Sequence, residues 1–548
     1  MNNILTQAAI LIIDDFESMR TMLRDFVRSM GAARVDIAGN AREAISLLGN
    51  KTYDLVICDF NLGDGPNGQQ VLEEARMHNM VGVSTIWIMV TAEMTHDMVM
   101  STAEVKPDDY LLKPINKALL ESRLSRQITR KQSLGPIEAA IKERDYHSAL
   151  AHCEQQLSTK TPNPQEVLRI KSELLMKVGD YEGATFLFDT VLAVRAVPWA
   201  KTGLGRILFH TQKYASAKKI FEQVLQEHSM YMEASDWLAK TCAMLGDTVQ
   251  AQQVLLEAVK TSPNSPIRQK LLGDAAYKNG DLDVALAAFE KTIRISEFSP
   301  YKNPSAYAGL AKVLADTDEH QDALRVLDRG KKMFAHNPEA TIQTTSVESV
   351  VYCQMGETEK ADAAITEVER LIDELSDIMS AEVSIDVAKA LFKLGRKEKA
   401  CTLLRDVVKN NHENAEISRC VEAAFEEEGL AEEGQALIAK SRQEVIAINN
   451  EGVMLAKNGD SQGGANLLRE AAKKLPNNDT ILVNLCGLLI GLMSKDGKDD
   501  QLIAEVRHLL DRVGQLNPAN KKYHAYTQVL SRVKLSSKPK PDQDFRFT

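Results

Sequence analysis

Two different periods of apolar and polar positions run along this chain, and they meet near residue 130. Before that point the apolar runs are short. They are Ala9–Ile13 (AILII), Leu55–Cys58 (LVIC), Ile86–Val90 (IWIMV) and Tyr110–Leu112 (YLL), with a weaker run, RVDIA, from Arg34. Runs this short, rich in β-branched residues, are expected as strands buried on both faces of a parallel sheet. Amphipathic segments such as ESMRTMLRDFVRSM and NGQQVLEEARM lie between them. Five strand–helix pairs in succession predict a doubly wound α/β domain.

From about Pro136 the strand signals stop and a repeat begins. A small residue or turn former is followed five positions later by Ala or Gly. The pairs are Arg144/Ala149, Gly179/Ala184, Gln212/Ala217, Gly246/Ala251, Gly280/Ala285, Asp318/Ala323, Gly356/Ala361, Gly395/Ala400, Gly429/Gly434 and Gly459/Gly464. Successive second members are 35, 33, 34, 34, 38, 38, 39, 34 and 30 residues apart. A helical pattern with a period near 34 residues is the tetratricopeptide signature. Leu204-Gly205, Tyr214, Ala217 and Phe221 fit one unit, and Leu272-Gly273, Gly280, Ala285 and Phe289 another. Gly or Ala is expected where two antiparallel helices approach most closely, with the inter-helix Gly making the turn and Pro ending the second helix. Ten units are expected, with residues 479–533 as a degenerate cap.

A chain of 548 residues is too long for one core. The formal charge of −10 argues against a surface that coats nucleic acid. Seven cysteines without a CxxC pair fit reduced thiols in a cytoplasmic protein. The N-terminus has no basic region ahead of its apolar run, so a signal peptide is not expected. The stretch TILVNLCGLLIGLM, Thr480 to Met493, is too short to span a bilayer, and its Gly487 and Gly491 suggest close helix packing. Arg123, Arg126, Arg130 and Lys131 share one face of a helix, read as a solvated helix end.

The candidate chemistry lies at the strand ends. Asp14 and Asp15 follow the first strand, and Asp59 follows the third, opening the Gly-rich loop FNLGDGPNG. In a sheet of order 2-1-3-4-5 those two strands are neighbours at the switch point, where a ligand binds. Three carboxylates in one cleft repel unless a cation neutralises them, and few hard oxygen ligands suit Mg²⁺.

With these acids, VTAE after the fourth strand and YLLKP after the fifth, residues 7 to about 125 resemble the CheY-like receiver domain of two-component response regulators. The resemblance implies that Asp59 accepts a phosphoryl group from a sensor histidine kinase or phosphotransfer protein. It implies Mg²⁺ held by Asp15 and Asp59, with Asp14 assisting through water and the Asn61 backbone carbonyl completing the set. Lys113 would pair with the phosphoryl oxygens, Thr91 would donate its hydroxyl to them, and Tyr110 would be the aromatic switch. Pro114 is expected to fix the loop, often through a cis bond in this family. Asn61 and Glu93 stand where the family tunes dephosphorylation, and polar groups there imply a short-lived phosphate.

This chain departs from the family in the loop after Asp59, one residue longer than usual with Pro66 displaced, and in Lys106-Pro107, which replaces a usual Ala-Gly pair. Both departures bear on partner recognition rather than on phosphorylation.

The expected plan is a receiver domain over 1–125, a helical linker over 126–136, repeats over 137–533 and a disordered tail over 534–548. The sequence contains no helix-turn-helix pattern, GxxxxGK(S/T) or HExxH motif, so neither nucleic acid nor a membrane is an expected partner. The receiver would catalyse only its own phosphorylation and dephosphorylation, and the repeats would bind an unidentified protein or peptide in their groove. Phosphorylation would shift the face from Thr95 to Arg130, which leads into the first repeat. A homodimer, a constitutive scaffold whose receiver only docks a kinase, and a transcription regulator are the remaining readings.

Overall fold

The computed structural model describes residues 5–82, 84–92, 107–159, 164–297, 301–375, 379–496 and 500–531. The expected positions of Glu93 and Lys106, the first third of the Thr95–Arg130 face and the tail over 534–548 lie outside them. The chain divides into two compact units, residues 1–175 with 181–306, and residues 176–180 with 307–548.

The first unit opens with a five-stranded parallel sheet, β1 (Ala9–Ile13), β2 (Arg34–Ala38), β3 (Leu55–Asp59), β4 (Ile86–Thr91) and β5 (Asp109–Leu112), in the order 2-1-3-4-5. Helices α1 (Glu17–Ser29), α2 (Ala41–Asn50) and α3 (Gly68–Met77) connect the first strands. Alternate strand residues feed two cores. Ile10, Ile12, Ile57 and Val90 meet Leu23 and Val27 of α1 on one face, while Leu11, Val56, Trp87 and Met89 meet Leu48 of α2 and Leu72 of α3 on the other. Burial on both faces explains the unbroken apolar runs. Each fully buried Ile or Leu contributes about 1.5–3 kcal/mol.

The helix after β5, α4 (Lys117–Lys142), is 26 residues long and is capped by the Asn116 side chain on the Leu119 amide. It runs unbroken through the expected linker, 126–136, and ends at the turn into the first repeat helices, α5 (Tyr146–Ser158) and α6 (Pro164–Lys177). Of the cations predicted to be solvated, Arg123 remains partly exposed and Arg126 exposed, whereas Arg130 and Lys131 are drawn in. Arg123 and Arg126 pair with Asp109, and Arg130 and Lys131 pair with Asp108. The helical pattern placed these four on one face but could not reveal the acids opposite them.

Helix pairs follow, and every first member of the ten sequence pairs adopts the left-handed conformation, with φ between 56° and 99°. Seven of these ten residues are Gly, which accepts that geometry without steric cost; Arg144, Gln212 and Asp318 do not. An Asp often comes next and caps the following helix: Asp145, Asp247, Asp281 and Asp460 each accept from the backbone amide three residues on. The small residue at the crossing is required by packing. A Cβ on Gly205 would sit 2.5 Å from the Phe221 ring.

In the second unit one 27-residue helix, Ala431–Lys457, joins two repeat units without a turn. The Thr480–Met493 stretch lies in helix Asp479–Asp496, where Gly487 packs against Tyr526 but Gly491 approaches nothing closely. Among the described residues no helix is long and apolar enough to cross a membrane, and all seven cysteines are free.

Candidate functional site

The parallel sheet brings the carboxyl ends of β1 and β3 side by side, with Ile13 in register with Cys58. Asp14 and Asp15 leave β1 there, and Asp59 ends β3. One carboxylate oxygen from each lies within 4.8 Å of the others, and Asp14 and Asp59 are buried. Arg20 of α1 fixes the acidic pair by donating to the carbonyls of Asp14 (2.6 Å) and Asp15 (2.9 Å). The Asp14 carboxylate also accepts from the Phe16 amide at 2.9 Å.

Lys113 enters from the end of β5. Its Nζ donates to Asp14 Oδ2 at 3.0 Å and to Asp59 Oδ2 at 2.8 Å. Its backbone amide donates to the Thr91 carbonyl at 2.8 Å, and the Lys113–Pro114 bond is cis. Burial raises the Asp59 carboxyl above its ordinary value, with Lys113 opposing that rise. Burial works against the Lys113 ammonium, but Asp59 and Asp14 outweigh it and raise its pKa.

The remaining expected residues occupy the rim. Thr91 is buried at the end of β4, one residue beyond Val90, which is in register with Asp59. Tyr110 is half-buried on β5, packed against the core that contains Cys58 and Trp87. Asn61 is exposed in the loop after Asp59, and its side chain accepts from the Gly63 amide at 3.3 Å. The loop folds back tightly: a Cβ on Gly68 would lie 2.0 Å from the Asp59 carbonyl oxygen, so α3 can begin there only with glycine.

The donor set suits a small hard cation. Three carboxylates converge, and Asp15 Oδ1 is buried without a hydrogen-bond partner, an expense that a metal ligand would remove. Asp14, Asp15 and Asp59 would hold Mg²⁺.

Comparison with known proteins agrees with this layout. Residues 10–125 match the family model of the response regulator receiver domain, and residues 208–275, 270–338 and 386–411 match tetratricopeptide repeat models. Over 117 residues the chain is 26% identical to the chemotaxis protein CheY of Pseudomonas aeruginosa, covering 21% of this chain and 93% of that protein. It is 27% identical over 117 residues to the chemotaxis protein CheY-3 of Vibrio cholerae, covering 21% of this chain and 88% of that protein. Solved structures similar to it include the chemotaxis protein CheY4 of Vibrio cholerae, 27% identical with a TM-score of 0.21 over 22% of this chain and 97% of the other. Another is MamA, 18% identical with a TM-score of 0.28 over 32% of this chain and 96% of the other. The chain thus carries a response regulator receiver domain followed by tetratricopeptide repeats.

What the sequence did not reveal lies at the opposite, amino-terminal end of the strands. Asp108, just before β5, accepts from the Trp87 amide at 2.8 Å and pairs with Arg130 and Lys131. Lys131 is buried, which lowers its pKa against the pull of Asp108. Arg130 reaches on to Glu166 of α6, which raises its pKa despite burial. An isolated Asp-Asp ahead of a strand carries no signal of such a partner.

Proposed function

We propose that this chain is the response regulator of a two-component phosphorelay, and that its repeat array binds a protein partner according to the state of Asp59. The convergence of Asp14, Asp15 and Asp59 under the Lys113 ammonium is the observation that carries this reading. An Asp59 carboxylate oxygen attacks the phosphorus of a phosphohistidine whose other ring nitrogen carries a proton. The P–N bond breaks as the P–O bond forms, leaving an acyl phosphate on Asp59 and neutral imidazole on the donor. Bound Mg²⁺ supplies positive charge against the phosphoryl oxygens. Lys113, freed from its contact with the Asp59 oxygen, pairs with one phosphoryl oxygen, and Thr91 donates its hydroxyl to another. Tyr110 then follows Thr91 inward.

The chain catalyses only its own phosphorylation and dephosphorylation in this reading, in the cytoplasm and without nucleic acid. The exposed Asn61 beside the site supports a short-lived phosphate. Stacked helix pairs offer an extended surface for a peptide or protein. Affinity capture with the phosphorylated chain and with Asp59→Asn tests the gating. A partner retained by one form and not the other supports it, whereas equal retention leaves a constitutive scaffold.

A further inference from the structure

The structure carries a second polar cluster, at the opposite end of β5 from the Lys113 that holds Asp59. β5 joins the two. Lys113 stands just beyond one end of it and Asp108 just before the other, five residues away and so at most about 16–17 Å at strand rise. Asp108 is held on every side. Its carboxylate takes the Trp87 amide, Arg130 Nη1 at 3.2 Å and Lys131 Nζ at 3.1 Å, and its carbonyl accepts from Gln127 Nε2 at 3.0 Å. Lys131 also donates to the Thr85 carbonyl at 2.8 Å, at the entry to β4.

The cluster continues into the repeats. Arg130 Nε donates to Glu166 Oε2 at 2.5 Å, and its Nη2 meets the other Glu166 oxygen, a two-pronged pair onto α6. About two turns further along α4, buried Glu138 accepts from the Ser84 amide at 2.6 Å. It lies so close to Gly82 that a Cβ there would fall 1.6 Å from its Oε1. The same α4, about 39 Å long, begins four residues after Lys113 and ends at the first repeat turn.

We propose that the Asp108–Lys131–Arg130–Glu166 cluster is the joint through which the state of Asp59 reaches the repeat array. A buried, satisfied polar network holds discrete arrangements rather than bending continuously. Movement of Tyr110 and Lys113 pulls on a four-residue strand whose far end is fixed to α4 and, through Arg130, to α6. The receiver therefore acts on its own first repeat. Two of its four α4 cations, Arg130 and Lys131, are committed to Asp108 and Glu166, while Arg123 stays partly exposed and Arg126 exposed beside Asp109.

The joint rests on the phosphoacceptor reading, and the two can fail separately. The full chain is treated with acetyl phosphate and Mg²⁺, intact mass reads phosphate on the chain, and hydrogen exchange reads residues 146–177. Exchange there is expected to change severalfold on phosphorylation of the wild type. Glu166→Gln and Arg130→Met are expected to take phosphate to the same extent while losing most of that change, and Glu166→Asp to restore part of it. A wild type that is phosphorylated with no change over 146–177, or a Glu166→Gln chain that keeps the full change, overturns the joint. A chain that takes no phosphate overturns the phosphoacceptor reading itself, and the joint with it.

Discussion

Lys113 and Asp59 meet at 2.8 Å although 54 residues separate them in the chain. The pairing exists because β5 and β3 end at the same edge of the sheet, with β4 between them. The same lysine holds Asp14 at 3.0 Å, so a single ammonium reaches two of the three acids in the cleft.

Removing that ammonium removes the one side-chain cation on Asp59 among the described residues. Lys113→Ala is expected to slow phosphorylation of the chain by a small phosphodonor by about 10²–10³-fold, the cost of losing one preorganised donor to developing negative charge. Rates of acyl-phosphate formation, read by intact mass against wild type, check this. An unchanged rate would remove Lys113 from the chemistry.

Asp108 makes a separate claim about stability. Its side chain is 7% exposed and neutralises Lys131, whose own side chain is 9% exposed. Asp108→Ala leaves that ammonium buried without its carboxylate and is expected to cost about 3–5 kcal/mol. Denaturant unfolding followed by Trp87, which packs in the receiver core, reads it. Lys131→Met, which removes the buried charge and keeps the stem, is expected to cost much less.

The repeat turns test a local rule. Gln212 holds φ at 60°, where most units place Gly. A side chain there costs about 1–2 kcal/mol, part of which glycine loses again in the unfolded chain. Gln212→Gly is therefore expected to stabilise the chain by up to about 1 kcal/mol, and Gly246→Ala, at φ 81°, to destabilise it by about 1–2 kcal/mol. Thermal melts of the three proteins give the order.

How much of this could be seen in the sequence follows from the range of each interaction. The strands, the repeat period and the acids at strand ends are local or periodic, so AILII-DD, LVIC-D and the Gly/Ala pairs placed them directly. The bond between Lys113 and Asp59 needed the strand order, which the alternation of strands and helices supplies. The Asp108 joint and the Glu138–Ser84 contact depend on how α4 lies across the bottom of the sheet. No spacing encodes that, and four cations on a helix look like a wet surface until their acids are found. Gly487 and Gly491 show the converse: an identical spacing motif in which one glycine meets Tyr526 and the other meets nothing.

His412 gives the second unit a dependence on acid. It is 7% exposed, and its Nδ1 lies 3.0 Å from Asn478 Nδ2, which donates to the neutral ring. Burial lowers its pKa from 6.5, with Arg442 acting the same way and Glu413 and Asp479 opposing. The unfolded chain therefore binds this proton at higher pH than the folded one. The stabilisation is complete above about pH 6.5 and is lost as pH falls below it. His412→Gln is expected to flatten that part of the stability–pH curve. An unchanged slope would show that other groups set it.

The most direct test of the central claim is to locate the phosphoryl group. The full chain is incubated with Mg²⁺ and acetyl phosphate, and the acyl phosphate is mapped by peptide mass after acid quenching. One phosphoryl group on the peptide containing Asp59, absent from Asp59→Asn and lost when Mg²⁺ is chelated, is the expected result. A chain that stays unmodified under these conditions, or that carries the group elsewhere, contradicts the account.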